Sequence, residues 1–125
     1  MYSYERHIAL GVEDTYGKLS HALKESGFLI LSYVDVQHIL ESNFGDKFRK
    51  YYILNVCKPI AAKEIMGEDL KMGLFIPCKI AIYETEGGSQ VSLLYVSALA
   101  RDYLGRESVA GKYEEELVSI IDIIA

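Results

Sequence analysis

The sequence predicts an α+β fold of two layers, a mixed, mostly antiparallel sheet with helices packed on one face. Three observations carry that prediction. Strand-like segments, marked by apolar alternation or by continuous apolar runs, are interleaved with segments of helical period. Two of the strand-like segments, 79–84 and 90–96, are joined by Thr85-Glu86-Gly87-Gly88-Ser89, a glycine-bearing hairpin connection. The last segment, 108–124, repeats Val109, Tyr113, Leu117, Ile120, Ile121 and Ile124 at helical spacing.

Each element has its own local reason. Residues 2–10 alternate, with Tyr2, Tyr4, Arg6, Ile8 and Leu10 on one side and Ser3, Glu5, His7 and Ala9 on the other, as in a half-buried strand. Residues 13–26 place Tyr16, Leu19 and Leu23 three and four apart before Gly27, a helix with a glycine stop. Residues 28–34 form a nearly continuous apolar run and read as a buried strand. Asp35 follows as a structural cap for a helix over 36–42, because its carboxylate can accept from the first free backbone N–H groups. A loop over 43–46 leads to a strand over 48–56 rich in Tyr, Ile, Leu and Val. Pro59 then suits the first position of a short helix ending near Gly67, since an N–H there has no helical partner to lose. Residues 97–106 read as a loop with at most one helical turn.

A chain of 125 residues, half of them hydrophobic, is expected to form one domain spanning residues 1–125 and to bury a core without staples. No run of about 18 apolar residues is present to span a membrane. Residues 1–7 lack the basic and apolar regions of a secretory signal, which points to a cytoplasmic protein with its two cysteines reduced. The net charge of −5 argues against nucleic acid as a partner. Charge is uneven: residues 1–63 hold eight Lys/Arg and seven Asp/Glu, residues 64–125 five and eleven.

The candidate site is a pair of units, Cys57-Lys58-Pro59 and Pro77-Cys78-Lys79, which contain the only cysteines and the only prolines of the chain. Lys47, Arg49, Lys50 and Lys63 add positive charge in the neighbouring sequence. If the fold gathers Cys57, Lys58, Pro59, Pro77, Cys78 and Lys79, they make a binding site for a small ligand, and the lysines favour an anion. An alternative is a thiol protein, a sulfur carrier or redox partner. Cys57 stands at a helix start, where free N–H groups and nearby lysines stabilise a thiolate, and Cys78 would resolve. The plain alternative is a structural or interaction protein in which both cysteines are small buried hydrophobes. A structural zinc site needs four ligands, and His7, His21 and His38 are scattered. No nucleophile elbow or phosphate-cradling loop occurs, so no catalytic residue or cofactor is assigned. Glu114-Glu115-Glu116 reads as a solvent-facing charge run.

Four strings occur together in order: Gly27-Phe28, Asp35-Val36-Gln37-x-Ile39-Leu40, Leu54-x-x-Cys57-x-Pro59-x-x-Ala62, and Gly73-Leu74-x-x-Pro77-Cys78-x-x-x-x-Tyr83-Glu84. In that order the chain resembles the domain of unknown function 302 family over nearly its whole length. The resemblance implies a small α+β fold with helices on one face of a mixed sheet, commonly dimeric, and no established activity. The family usually has Asn after each cysteine and often an Asp-Pro pair after the last strand. Here Lys58 and Lys79 follow the cysteines, and Val96-Ser97-Ala98 replaces the pair. An amide both donates and accepts, whereas an ammonium only donates, so a site built on those positions has a different chemistry in this chain. Independently of the resemblance, Ile120, Ile121, Ile123 and Ile124 leave apolar groups on more than one side of the last helix. That pattern predicts a homodimer in which this helix or the adjoining sheet edge takes part.

Overall fold

The computed structural model describes residues 1–125. The chain runs through β1 (Ser3–Ile8), α1 (Val12–Glu25), β2 (Leu29–Asp35), α2 (Val36–Phe44), β3 (Tyr51–Cys57) and α3 (Pro59–Glu68). A 3₁₀ segment (Leu70–Leu74), β4 (Cys78–Thr85), β5 (Gly88–Leu94), α4 (Val96–Leu104) and α5 (Ala110–Ile124) complete it. The fold is α+β with one five-stranded sheet of order β1-β5-β4-β3-β2, and all four pairings are antiparallel.

The register explains the layers. Leu54 stands opposite Ile80, which stands opposite Leu93, which stands opposite Tyr4. Successive side chains alternate between faces, so Leu54, Val56, Ile80, Ile82, Val91 and Leu93 share one face and are all buried. Leu19 and Leu23 of α1 and Leu117 and Ile121 of α5 close over them. The opposite face carries Glu5, Ser92, Ala81 and Ile53 in one cross-strand row and has no helix over it. A second apolar cluster, Ala61, Ile65, Met72, Val96, Ala100, Ala110 and Tyr113, joins α3, the 3₁₀ segment, α4 and the start of α5.

Several local expectations meet their partners here. The hairpin closes through Glu86-Gly87, with Thr85 opposite Gly88. Gly88 has φ +149, and a Cβ there would stand 2.1 Å from the Ile8 carbonyl oxygen, so β1 can reach the hairpin only past a glycine. Asp35 accepts from the His38 N–H at 3.0 Å and caps α2. Asp35→Ala is expected to cost about 1 kcal/mol of stability in urea denaturation, and an unchanged midpoint would show that the cap is dispensable.

Three expectations are corrected. The segment 28–34 is not a buried strand: β2 is the sheet edge, with Leu29, Leu31 and Tyr33 each at least half exposed. The segment 97–106 is not a loop: α4 is a full helix, closed by Gly105 in the left-handed region. Glu114 is not solvent-facing but buried. On the last helix Ile120 and Ile121 are buried and Ile124 packs on the core, while Ile123 stays exposed.

Candidate functional site

β3 and β4 lie side by side, and both Cys-Pro units fall at the same end of that pair, where β3 runs into α3 and the chain enters β4. Cys78 stands opposite Val56, one residue before Cys57. The sequence distance between the two units is therefore spanned by α3 and the 3₁₀ segment, which fold back over this end of the sheet. Between them is a cavity of about 320 Å³. Val56, Cys57, Pro77 and Cys78 form its sheet side, Ala61, Ala62, Ile65 and Met66 its α3 side, Gly73 and Ile76 its 3₁₀ side, and Ala110 and Tyr113 its α5 side. Phe28, Leu31 and Lys58 complete it.

Of the six residues singled out by sequence, Cys57, Lys58, Pro77 and Cys78 border this cavity. Pro59 does not; it begins α3 and fixes the direction in which that helix leaves the sheet. Lys79 does not either. It follows Cys78 by one residue and so projects to the opposite face of the sheet, where its ammonium donates to Asn55 Oδ1 at 2.5 Å. The remaining basic residues do not converge. Lys50 pairs with Glu13 at 2.9 Å, Arg49 donates to the Glu84 carbonyl, and both lie at the far end of β3 from Lys58.

Lys58 is thus the single cationic group of the cavity wall. Its Nζ lies 2.7 Å from Glu116 Oε1 and 4.9 Å from the centre of the Phe28 ring. The apolar stem runs along the cavity while the charged end is held by a carboxylate and an aromatic face.

The thiols are unlike the thiolate that a helix start favours. Burial pushes the Cys57 thiol up from its ordinary value. Burial, the Glu114 carboxylate and Cys57 together push Cys78 up to about 12. At neutral pH both are protonated, and as neutral thiols they contribute polarizable, weakly polar wall. No group of three or more His, Cys, Asp or Glu side chains is placed to hold a metal ion.

Glu114 was missed by the sequence reading. It accepts from the Ser97 N–H at 2.9 Å and from Ser97 Oγ at 2.5 Å. Burial raises its carboxyl and these hydrogen bonds lower it, with burial prevailing. The residue caps the N-terminus of α4, whose own N-cap, Tyr95, supplies no side-chain hydrogen bond. Glu68 serves α5 likewise: its carboxylate accepts from Ser108 Oγ at 2.7 Å and from the Val109 N–H at 2.8 Å. Both helices thus begin on caps borrowed from other elements, and of the two α5 walls the cavity, through Ala110 and Tyr113.

The architecture defines a class: small α+β proteins with helices on one face of an antiparallel sheet and an apolar chamber at its end. The chain belongs to the family described as "Domain of unknown function DUF302", whose model matches residues 4–124. It is similar to the crystal structure of an uncharacterized conserved DUF302 protein from Bacillus stearothermophilus, with a TM-score of 0.92 and 25% identity over 100% of this chain and 99% of that one. A comparison with curated proteins gave no match. No helix is long and apolar enough to cross a membrane.

Proposed function

We propose that this chain is a non-catalytic binding module, working in the cytoplasm, for a small and largely apolar molecule with one anionic end. The cavity beside the two Cys-Pro units supports this reading. Its volume of about 320 Å³ is that of a modest ligand chamber. Its wall is aliphatic, aromatic and thiol in character, with one ammonium. Carbon surface supplies affinity without direction, and Lys58 supplies direction. A ligand carboxylate would take the place of Glu116 on Lys58, exchanging one charge-assisted hydrogen bond for another.

Octanoate, octanol and inorganic phosphate separate the parts of this reading in calorimetric titrations. Octanoate is expected to bind more tightly than octanol, and phosphate not to bind. Lys58→Met is expected to weaken octanoate about tenfold, roughly 1.4 kcal/mol, and to leave octanol nearly unchanged. Ala61→Trp, which fills the chamber, is expected to abolish both. Equal binding of octanoate by the wild type and Ala61→Trp would place the ligand elsewhere and sink the proposal.

A further inference from the structure

The exposed leucines of this chain are gathered in one place. They are Leu29 and Leu31 of β2 and Leu70 and Leu74 of the 3₁₀ segment, between 50% and 87% exposed. Both segments border the cavity: Leu31 is part of its wall, and so is Gly73, next to Leu74. Leu31 and Gly73 are the wall residues that are also open to solvent, so the cavity mouth lies between β2 and the 3₁₀ segment. Met72 is fully buried and anchors the 3₁₀ segment from beneath, while its leucines stand out on either side. Leu70 and Leu74, the two most exposed of the four, therefore project beside the opening of the chamber.

The charges at this end are sorted by accessibility. Lys71 lies between the two projecting leucines, and Lys63 lies on the outer side of α3 beside Ile60, which is itself exposed. Both lysines are exposed and form no ion pair. The carboxylates of the same elements are half-buried and occupied. Glu64 accepts from the Tyr113 hydroxyl at 2.8 Å, Glu68 holds the head of α5, and Asp69 accepts from the Lys71 N–H at 2.9 Å. What faces outward at the mouth is thus aliphatic carbon with unpaired ammonium groups beside it.

We propose that the cavity mouth seats on the surface of an anionic lipid bilayer, with Leu70 and Leu74 entering between the headgroups and Lys63 and Lys71 meeting their phosphates. The contact is peripheral, as no helix is long and apolar enough to cross a membrane. Projecting leucines with flanking lysines suit a fluid anionic surface, which yields to the leucines and attracts the ammonium groups. The net charge of −5 does not forbid the approach, because charges more than about 8 Å away are screened at physiological salt and the nearest groups decide. The proposal rests on the reading of the cavity as a chamber for an apolar molecule with an anionic end. Such a molecule resides in bilayers, and a mouth seated on one lets it pass without carrying its apolar part through water.

Co-sedimentation with sucrose-loaded vesicles, with no ligand added, tests the seating. Vesicles of phosphatidylglycerol and phosphatidylcholine are expected to carry down the wild type, and vesicles of phosphatidylcholine alone to bind it at least tenfold more weakly. Leu70→Glu with Leu74→Glu is expected to weaken binding to the anionic vesicles more than tenfold, and Lys63→Glu with Lys71→Glu about tenfold. Ile123→Glu, about 15 Å further along α5 than Tyr113, is expected to leave it unchanged. None of these residues lines the cavity, so all three variants are expected to keep the wild-type circular dichroism spectrum and octanoate affinity. Ala61→Trp, expected to end octanoate binding, is expected to sediment with the vesicles as the wild type does, so the two readings fail separately. A wild type that stays in the supernatant with anionic vesicles overturns the proposal. So does sedimentation that phosphatidylcholine alone supports equally, or that the Leu70 and Leu74 double variant retains in full.

Discussion

Glu114→Ala is expected to lower the unfolding free energy by about 3 kcal/mol, a large share of what a domain of this size holds. The carboxylate is buried and accepts two hydrogen bonds from Ser97 at the start of α4. Removing it leaves the half-buried N–H and hydroxyl of Ser97 without their acceptor, so the loss exceeds that of an exposed cap. Glu114→Gln, which retains an acceptor, is expected to lose less. The carboxyl titrates above its ordinary value in the folded chain because burial opposes its charge. A group raised in this way stabilises the fold fully below its unfolded pKa, and the contribution is lost as pH rises through the folded one. The advantage of wild type over Glu114→Gln is therefore expected to be greatest in acid and to shrink as pH climbs past the usual carboxyl range. Urea denaturation across that range measures both effects. A Glu114→Ala protein as stable as the wild type would mean that α4 does not depend on this carboxylate.

Iodoacetamide at neutral pH is expected to leave Cys78 unmodified on the timescale that consumes a free cysteine. Only the thiolate attacks, and a thiol pushed up to about 12 is ionised roughly three orders of magnitude less than an ordinary one. Cys57 is expected to react more slowly than free cysteine too, but faster than Cys78, since burial raises it less. In urea both should react at one rate. Mass spectrometry of timed aliquots reads each site. A folded-state Cys57 that outpaces free cysteine would revive the sulfur-carrier or redox reading and displace the binding-module one.

The strands and the hairpin were legible because their signals are local: alternation in β1, glycines at 87 and 88, proline at the head of α3. The cavity was half legible. Its Cys57, Lys58, Pro77 and Cys78 border came from the Cys-Pro units, but Phe28, Leu31 and Tyr113 arrive from distant segments, and no short-range pattern announces them. Lys79 was assigned to the site by its position in sequence, although the period of two in a strand puts neighbours of Cys78 on the other face. β2 was misplaced because an apolar run is the same string whether it lies inside a sheet or at its edge. Glu114 and α4 carried signals that went unread. Glu114 stands four residues from Ala110 and three from Leu117, on the buried stripe of α5, and only its acidic neighbours disguised it. Val96, Ala100 and Leu104 are spaced by fours before Gly105, the same grammar as α1 before Gly27.

The borrowed caps make α3, α5 and α4 a relay. Glu68 at the end of α3 fastens the head of α5, and Glu114 within α5 fastens the head of α4. Fraying at one link strips the next of its acceptor, so these helices open together as one foldon instead of unravelling turn by turn. The chamber walled by α3 and α5 is then either whole or absent, and a molecule bound inside it clamps those two helices and, through Glu114, steadies the third.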